Sequence, residues 1–148
     1  MHITQESDYA VRIVYCLAQS GQRMDARSIS DQMSVSLRFA LKILGKLARQ
    51  GIVASFKGNR GGYELARPAA RISMLDVITA VEGPYQLSRC LDGNRESCNR
   101  DASGSCSFQR IFARISSQVN RELAAVDFQM LLNDEKCPCS GQKSQKME

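Results

Sequence analysis

Ile52-Val53-Ala54-Ser55-Phe56-Lys57, then Gly58-Asn59-Arg60-Gly61-Gly62, then Tyr63-Glu64-Leu65-Ala66 read as two short strands around a glycine-rich tip, a β-hairpin. Glycine supplies the positive φ that a tight tip needs and lets backbone amides approach a phosphate. The tip also carries Lys57 and Arg60, and a long cation at such a tip fits a minor groove. Taken alone, these residues describe an ordinary surface turn. What precedes them gives the turn its meaning.

Upstream, Gly51 stops a helix that Ser36 caps and that runs to about Gln50. Leu37, Leu41, Leu44, Leu47 and Ala48 are the expected buried face of that helix. Ser34-Val35-Ser36 is a short break. Before it, Asp25 caps a helix over 26–33, with Ile29 and Met33 inward. A first helix is expected over 8–19, capped by Asp8, with Val11, Val14, Tyr15 and Ala18 on one stripe and Gly21 at its end. Three short helices followed by a hairpin make a winged helix-turn-helix. The third helix would lie in a major groove with its first turns on base edges. Ser36, Arg38, Phe39 and Lys42 stand there, and Arg38 has the fork that matches guanine. Lys46 and Arg49 lie further along and suit phosphates. A basic helix can be no more than a solvated face. The order of capped helix, short turn, basic-fronted helix and basic-tipped hairpin is what points to double-stranded DNA.

Charge follows the same division. Residues 1–71 hold eleven Lys/Arg against five Asp/Glu, whereas residues 72–148 hold nine against ten. The net charge of +5 therefore resides in the first half, the footprint of a polyanion-binding module joined to something else. No segment approaches the roughly 18 apolar residues of a membrane span. The start, Met1-His2-Ile3-Thr4-Gln5-Glu6, lacks the basic and apolar runs of a secretory signal, so a cytoplasmic protein is expected. With one histidine, His2, and no phosphate-binding glycine motif, no catalyst is apparent.

Downstream, Pro68 closes the hairpin unit, and Ser73 caps a helix over 74–82 that ends at Gly83-Pro84. Residues 85–105 are a polar loop with little to bury, and long loops in compact domains are usually functional or disordered. A long helix resumes over 107–123, with Phe108, Phe112, Ile115, Val119 and Leu123 on one stripe. Asp127 caps a short helix through Leu132, and 133–148 is a polar tail.

Six cysteines in a cytoplasmic chain favour metal, cluster or redox chemistry over static disulfides. Cys90, Cys98 and Cys106 are separated by seven residues each time and fall in or beside the polar loop. Zinc sites use closer pairs, and the near pair Cys137-Pro-Cys139 lies in the tail. Iron–sulfur clusters tolerate wider spacing. Three thiolates leave one iron position short, so Asp8, Glu6, His2 or another cysteine would complete the set. Cys16, among Ile13, Val14 and Leu17, reads as a plain buried thiol.

Several of these stretches together resemble the Rrf-type (IscR/NsrR-like) iron–sulfur winged-helix transcriptional regulators. The likeness runs from residue 1 to about 132. It begins with Ile3-Thr4 and Ser7-Asp8-Tyr9-Ala10-Val11-Arg12, then takes in Ile29-Ser30, Val35-Ser36-Leu37 and Leu47 to Val53. It is strongest in the wing, Lys57 to Ala66, and continues through Asp76-Val77-Ile78 and Ala80-Val81-Glu82-Gly83 to the cysteine trio. The resemblance implies a homodimer in which the helix over 107–123 crosses its counterpart. It also implies a 2Fe–2S or 4Fe–4S cluster on Cys90, Cys98 and Cys106. Asp8 matches the fourth ligand of the nitric-oxide-sensing branch, contributed from the other subunit. Helix three and the wing cations, chiefly Lys57, match DNA-contacting positions. The cysteine gaps are longer than the common pattern. Where the cluster-assembly branch has a histidine, three residues after its last cysteine, this chain has Gln109.

The expected architecture is therefore mainly α, a winged helix-turn-helix with a small β-hairpin wing and a long C-terminal dimerisation helix. Residues 1–83 form the DNA-binding domain, 84–106 the sensor loop, 107–132 the dimerisation helix with its short follower, and 133–148 the tail. The expected function is a repressor sensing redox, nitric oxide or iron–sulfur status, with no membrane partner. A cluster-free thiol/disulfide switch on DNA is the alternative, and a cluster-binding protein adaptor a third, disfavoured by the basic first half.

Overall fold

The computed structural model describes residues 3–92 and 106–134, so His2, Cys98, Cys137, Cys139 and the tail beyond Asp134 lie outside the described residues. The fold is mainly helical with one two-stranded antiparallel sheet.

Helix α1 spans Gln5–Ser20. Its cap is Thr4, whose Oγ accepts the Ser7 N–H at 3.2 Å, and not Asp8, which lies within the helix. Both are capping types. The earlier start carries Ser7 and Ala10, each 0 % exposed, into the core beside Ile13, Val14 and Leu17. Gly21, at φ +63°, closes the helix by returning its N–H to the Leu17 carbonyl. Helix α2, Ala26–Met33, is capped by Asp25 and buries Ile29. Helix α3, Leu37–Arg49, is capped by the Ser36 hydroxyl. Between them Ser34 takes a left-handed φ of 54° and turns the chain sharply.

The buried face of α3 differs from its leucine pattern. Ala40, Ile43, Leu44 and Leu47 are 0 % exposed, whereas Leu41 stands 42 % exposed and Leu37 and Ala48 are half-buried. The leucines mark one edge of the stripe, and a small and a β-branched residue complete it on the other side.

Strands β1 (Val53–Phe56) and β2 (Gly62–Leu65) pair antiparallel from Val53 opposite Leu65 to Phe56 opposite Gly62. Tyr63 also exchanges both backbone hydrogen bonds with Met24, at 2.8 and 2.9 Å, pinning the wing to the α1–α2 linker. That close approach requires glycine at 62, where φ is +146° and a Cβ would meet the Met24 carbonyl oxygen at 2.6 Å.

After a 3₁₀ turn at Ala69–Arg71, helix α4 (Met74–Glu82) opens with a reciprocal capping box between Ser73 and Asp76. Residues 84–92 include a second 3₁₀ turn at Arg89–Leu91. Helix α5 then spans Ser107–Ala125 and helix α6 Phe128–Asn133. The chain re-enters the domain at the α5–α6 junction. Met74 N–H donates to the Val126 carbonyl at 2.9 Å, and Phe128 N–H to Ile72 at 3.0 Å. Phe128, 0 % exposed, is the largest fully buried side chain among the described residues and joins the core of α1, α3 and α4. No described helix is long and apolar enough to cross a membrane.

The expected apolar stripe of α5 is not covered within one chain. Phe108, Ile111 and Ile115 are 61 %, 45 % and 38 % exposed, and Phe112, Val119 and Leu123 are half-buried.

Candidate functional site

The outward face of α3 presents Arg38, Leu41, Lys42, Gly45 and Arg49, all exposed. Ser36 sits at its entrance, and its hydroxyl oxygen is occupied in capping the Phe39 N–H at 3.2 Å. Phe39, named with this surface from sequence, is half-buried and packs edge-on against Tyr9 with ring centroids 5.8 Å apart. Its visible work is to seat α3 on α1.

Lys46, expected to reach a phosphate, turns inward. It pairs with Glu6 at 2.8 Å and donates to the Val81 carbonyl at 2.8 Å. Lys42 is more exposed and reaches the same carboxylate at 3.4 Å. Burial pushes the Glu6 carboxyl up, but its hydrogen bonds and proximity to Lys46 and then Lys42 outweigh this and hold it below the usual carboxylate range. Glu82, at the end of α4, accepts hydrogen bonds from the Thr4 and Ser7 hydroxyls. Burial raises Glu82 as well, yet the Ser7 and Thr4 hydrogen bonds bring it below its ordinary value. The start of α1, the reading helix α3 and the end of α4 are thus tied by one polar knot. Each member is far from its partners in sequence, and no local pattern marks it.

The wing tip carries exposed Lys57 and Arg60. Arg23 holds the tip in place. Its guanidinium lies 3.4 Å from the Phe56 ring centroid, pairs with Glu64 at 3.2 Å and donates to the Arg60 carbonyl at 3.1 Å. The sequence gives no hint of this role, because Arg23 is a single cation in a short linker.

The cysteine segment is fastened to α5 by polar side chains. Gln109 donates to the Cys90 carbonyl at 2.9 Å, Ser116 accepts the Leu87 N–H at 3.0 Å, and Asn120 donates to the Tyr85 carbonyl at 3.3 Å. Gln109, at the position where the resemblance expects a histidine, therefore holds Cys90 beside the first turn of α5. Cys106 is the residue at which that helix begins. Both thiols are free and half-buried. Cys90 Sγ lies 3.2 Å from the Ser88 hydroxyl. Among the described residues no three cysteine, histidine or acidic side chains come together as a metal-binding group. Asp8 stands half-exposed on the first turn of α1, paired with Arg12 at 2.9 Å. Cys16 is 5 % exposed, donates to Gln32 Oε1 at 3.2 Å, and has its thiol pushed up by burial, as a structural thiol does.

A helix-turn-helix with a pinned, cation-tipped wing defines the winged-helix class of DNA-binding proteins. Over residues 3–134 the chain matches the family model described as Rrf2, iron-dependent transcriptional regulator, and it belongs to that family. It is 31 % identical over 134 residues to an HTH-type transcriptional regulator of Neisseria meningitidis serogroup A, covering 89 % of this chain and 88 % of that one. It is 26 % identical over 137 residues to the HTH-type transcriptional regulator IscR of Xenorhabdus nematophila, covering 91 % and 81 %. Among solved structures, CymR, the global cysteine regulator of B. subtilis, superposes with a TM-score of 0.69 at 21 % identity, covering 90 % of this chain and 97 % of that one. The last likeness speaks to fold alone.

Proposed function

We propose that this chain acts in the cytoplasm as a homodimeric repressor whose grip on an operator depends on an iron–sulfur cluster. Cys90, Cys98 and Cys106 would hold the cluster, 2Fe–2S or 4Fe–4S, with the partner's Asp8 as fourth ligand. Ser36, Arg38, Phe39, Lys42, Lys57 and Arg60 form the DNA surface, with Phe39 contributing through its packing. The observation that supports the reading is the Gln109 hydrogen bond to the Cys90 carbonyl, which ties the Cys90 segment to the first turn of α5, the helix that Cys106 precedes. Thiolates are the soft donors that iron–sulfur clusters take. The amino end of α5 favours the negative charge such a group brings.

When bound, such a cluster supplies a centre that reacts with oxidants and nitric oxide. The protein's part is mechanical. Asp8, which pairs with Arg12 through Oδ2, would have to turn toward the cluster to serve as a ligand. Two residues earlier on the same helix, Glu6 pairs with Lys42 and Lys46 of α3. A shift at the start of α1 is therefore felt by the reading helix. In a dimer, two such helices must meet half-sites about one DNA turn apart, so a small displacement breaks simultaneous contact. The uncovered stripe of α5 is the surface on which two copies would join.

Purification without oxygen, followed by iron and sulfide analysis and absorption spectra, tests this. Coloured wild-type protein and a colourless Cys98→Ala variant without regulated DNA binding are expected. Full colour and full regulation in Cys98→Ala would overturn the cluster assignment. Colourless wild-type protein, free of iron and sulfide but with oxidant-dependent DNA binding, would replace the cluster by a thiol switch.

A further inference from the structure

The reading helix carries an apolar feature that the fold does not use. Leu41 lies on the outward side of α3 with 42 % of its surface exposed, although leucine is among the residues most often buried. One turn further on, Gly45 sits in the middle of the helix, and a Cβ built there meets nothing within 4 Å. Glycine inside a helix costs about 1 kcal/mol relative to alanine. Neither a positive φ nor close packing within the chain asks for it here. A projecting leucine beside an absent side chain leaves a shallow notch, bordered by Arg38, Lys42 and Arg49.

The surrounding cations indicate what the notch meets. They belong against phosphates and guanine edges, so this face is expected to lie in a major groove. The prominent apolar group that a major groove offers is the thymine C5-methyl. We infer that Leu41 and Gly45 form a specificity notch, in which Leu41 packs on a thymine methyl of each half-site. The bare Gly45 backbone lets the helix approach close enough for that contact. The inference rests on the DNA-binding reading above and adds a residue pair that selects sequence without charge.

The test uses full-length protein prepared without oxygen and duplexes enriched by it from a random pool. Each thymine of the enriched sequence is replaced in turn by deoxyuridine, which removes only the methyl. At one position in each half-site the replacement should weaken binding about fourfold, the equivalent of one buried methyl group. Leu41→Ala should bind the two duplexes equally well, whereas Arg38→Ala should keep the methyl preference. Gly45→Ala should raise the melting temperature, because alanine favours helix. It should also weaken the enriched duplex about tenfold, on the order of a mismatched base pair, and a nonspecific duplex by less. A methyl preference that survives Leu41→Ala, or its absence at every position, overturns the notch while leaving DNA binding intact. Failure to enrich any sequence, with no salt-sensitive duplex binding, removes the functional reading and the notch together.

Discussion

Helices α1 and α5 are both long and amphipathic, yet they bury their apolar residues differently. Of the 16 residues of α1, seven are buried within one chain, and the helix runs through the centre of the reading domain. Of the 19 residues of α5, only Ser116 is buried, while three large hydrophobic residues face outward. The described residues before α5 are fastened to it by side-chain hydrogen bonds. The core around α1 is thus packed within a single copy, and the apolar stripe of α5 is not. Regulation is most easily placed where the structure is unfinished, because that part changes state without unfolding the rest.

The comparison can be broken at its strongest point first. Phe128→Ala should destabilise the protein by about 3–5 kcal/mol, as truncation of a fully buried aromatic residue does, measured by urea unfolding. A loss confined to α5 would mean that the short C-terminal helix does not belong to the reading core. Ile115→Asp should leave that core folded. It should dissociate the proposed dimer by about 2 kcal/mol per copy, the order of one buried aliphatic side chain, seen by sedimentation velocity. A monomeric wild type would sink this half of the contrast.

Gln109→Ala should act locally, removing a hydrogen bond worth about 1 kcal/mol. Amide exchange should quicken around the Arg89–Leu91 turn while the global melting temperature hardly moves. The smallest effect concerns pH. Glu6 and Glu82 have carboxyl groups lowered in the folded state, so the unfolded chain binds more protons than the native one near the ordinary value of 4.5. Their stabilisation is present above that value and fades as the pH falls through it and below. Glu6→Gln should flatten the slope of stability against pH below about pH 5, with a change of less than about 1 kcal/mol for a partly exposed ion pair. An unchanged slope would remove Glu6 from the knot that couples α1 to α3.

Legibility in the sequence followed distance along the chain. Asp25, Ser36, Ser73 and Asp127 were readable as caps because a cap bonds residues two or three positions away. Asp8 was read as the first cap, and only the core, by taking in Ser7 and Ala10, moves the start of the helix back to Thr4. On α3 and α5 periodicity grouped residues on a face without saying what would cover it. Hence Leu41 was expected inside, and the α5 stripe was legible as a face while its cover within the chain was not. The candidate site residues on α3, on the wing and among the cysteines were chosen from their type and spacing. What positions them was not legible, since Gln109, Arg23 and the Glu6–Lys46 pair act across 19 to 41 residues. Phe128, whose core partners begin more than a hundred residues earlier, was equally hidden.

The return of the chain at Val126 and Phe128 has a consequence for how such a protein can diversify. The described residues between Gly83 and Ala125 stand outside the core of the reading domain, with α5 laid against α4, and the chain is fastened back at the root by the Ser73–Asp127 bridge. The stretch is an excursion with both feet on the same floor. Doubling the length of such a loop adds only about 0.6 kcal/mol of closure entropy. Cysteine spacing in that excursion can therefore drift, lengthen or be exchanged wholesale while the part that meets the genome keeps its shape. New signals can be fitted to an old reader.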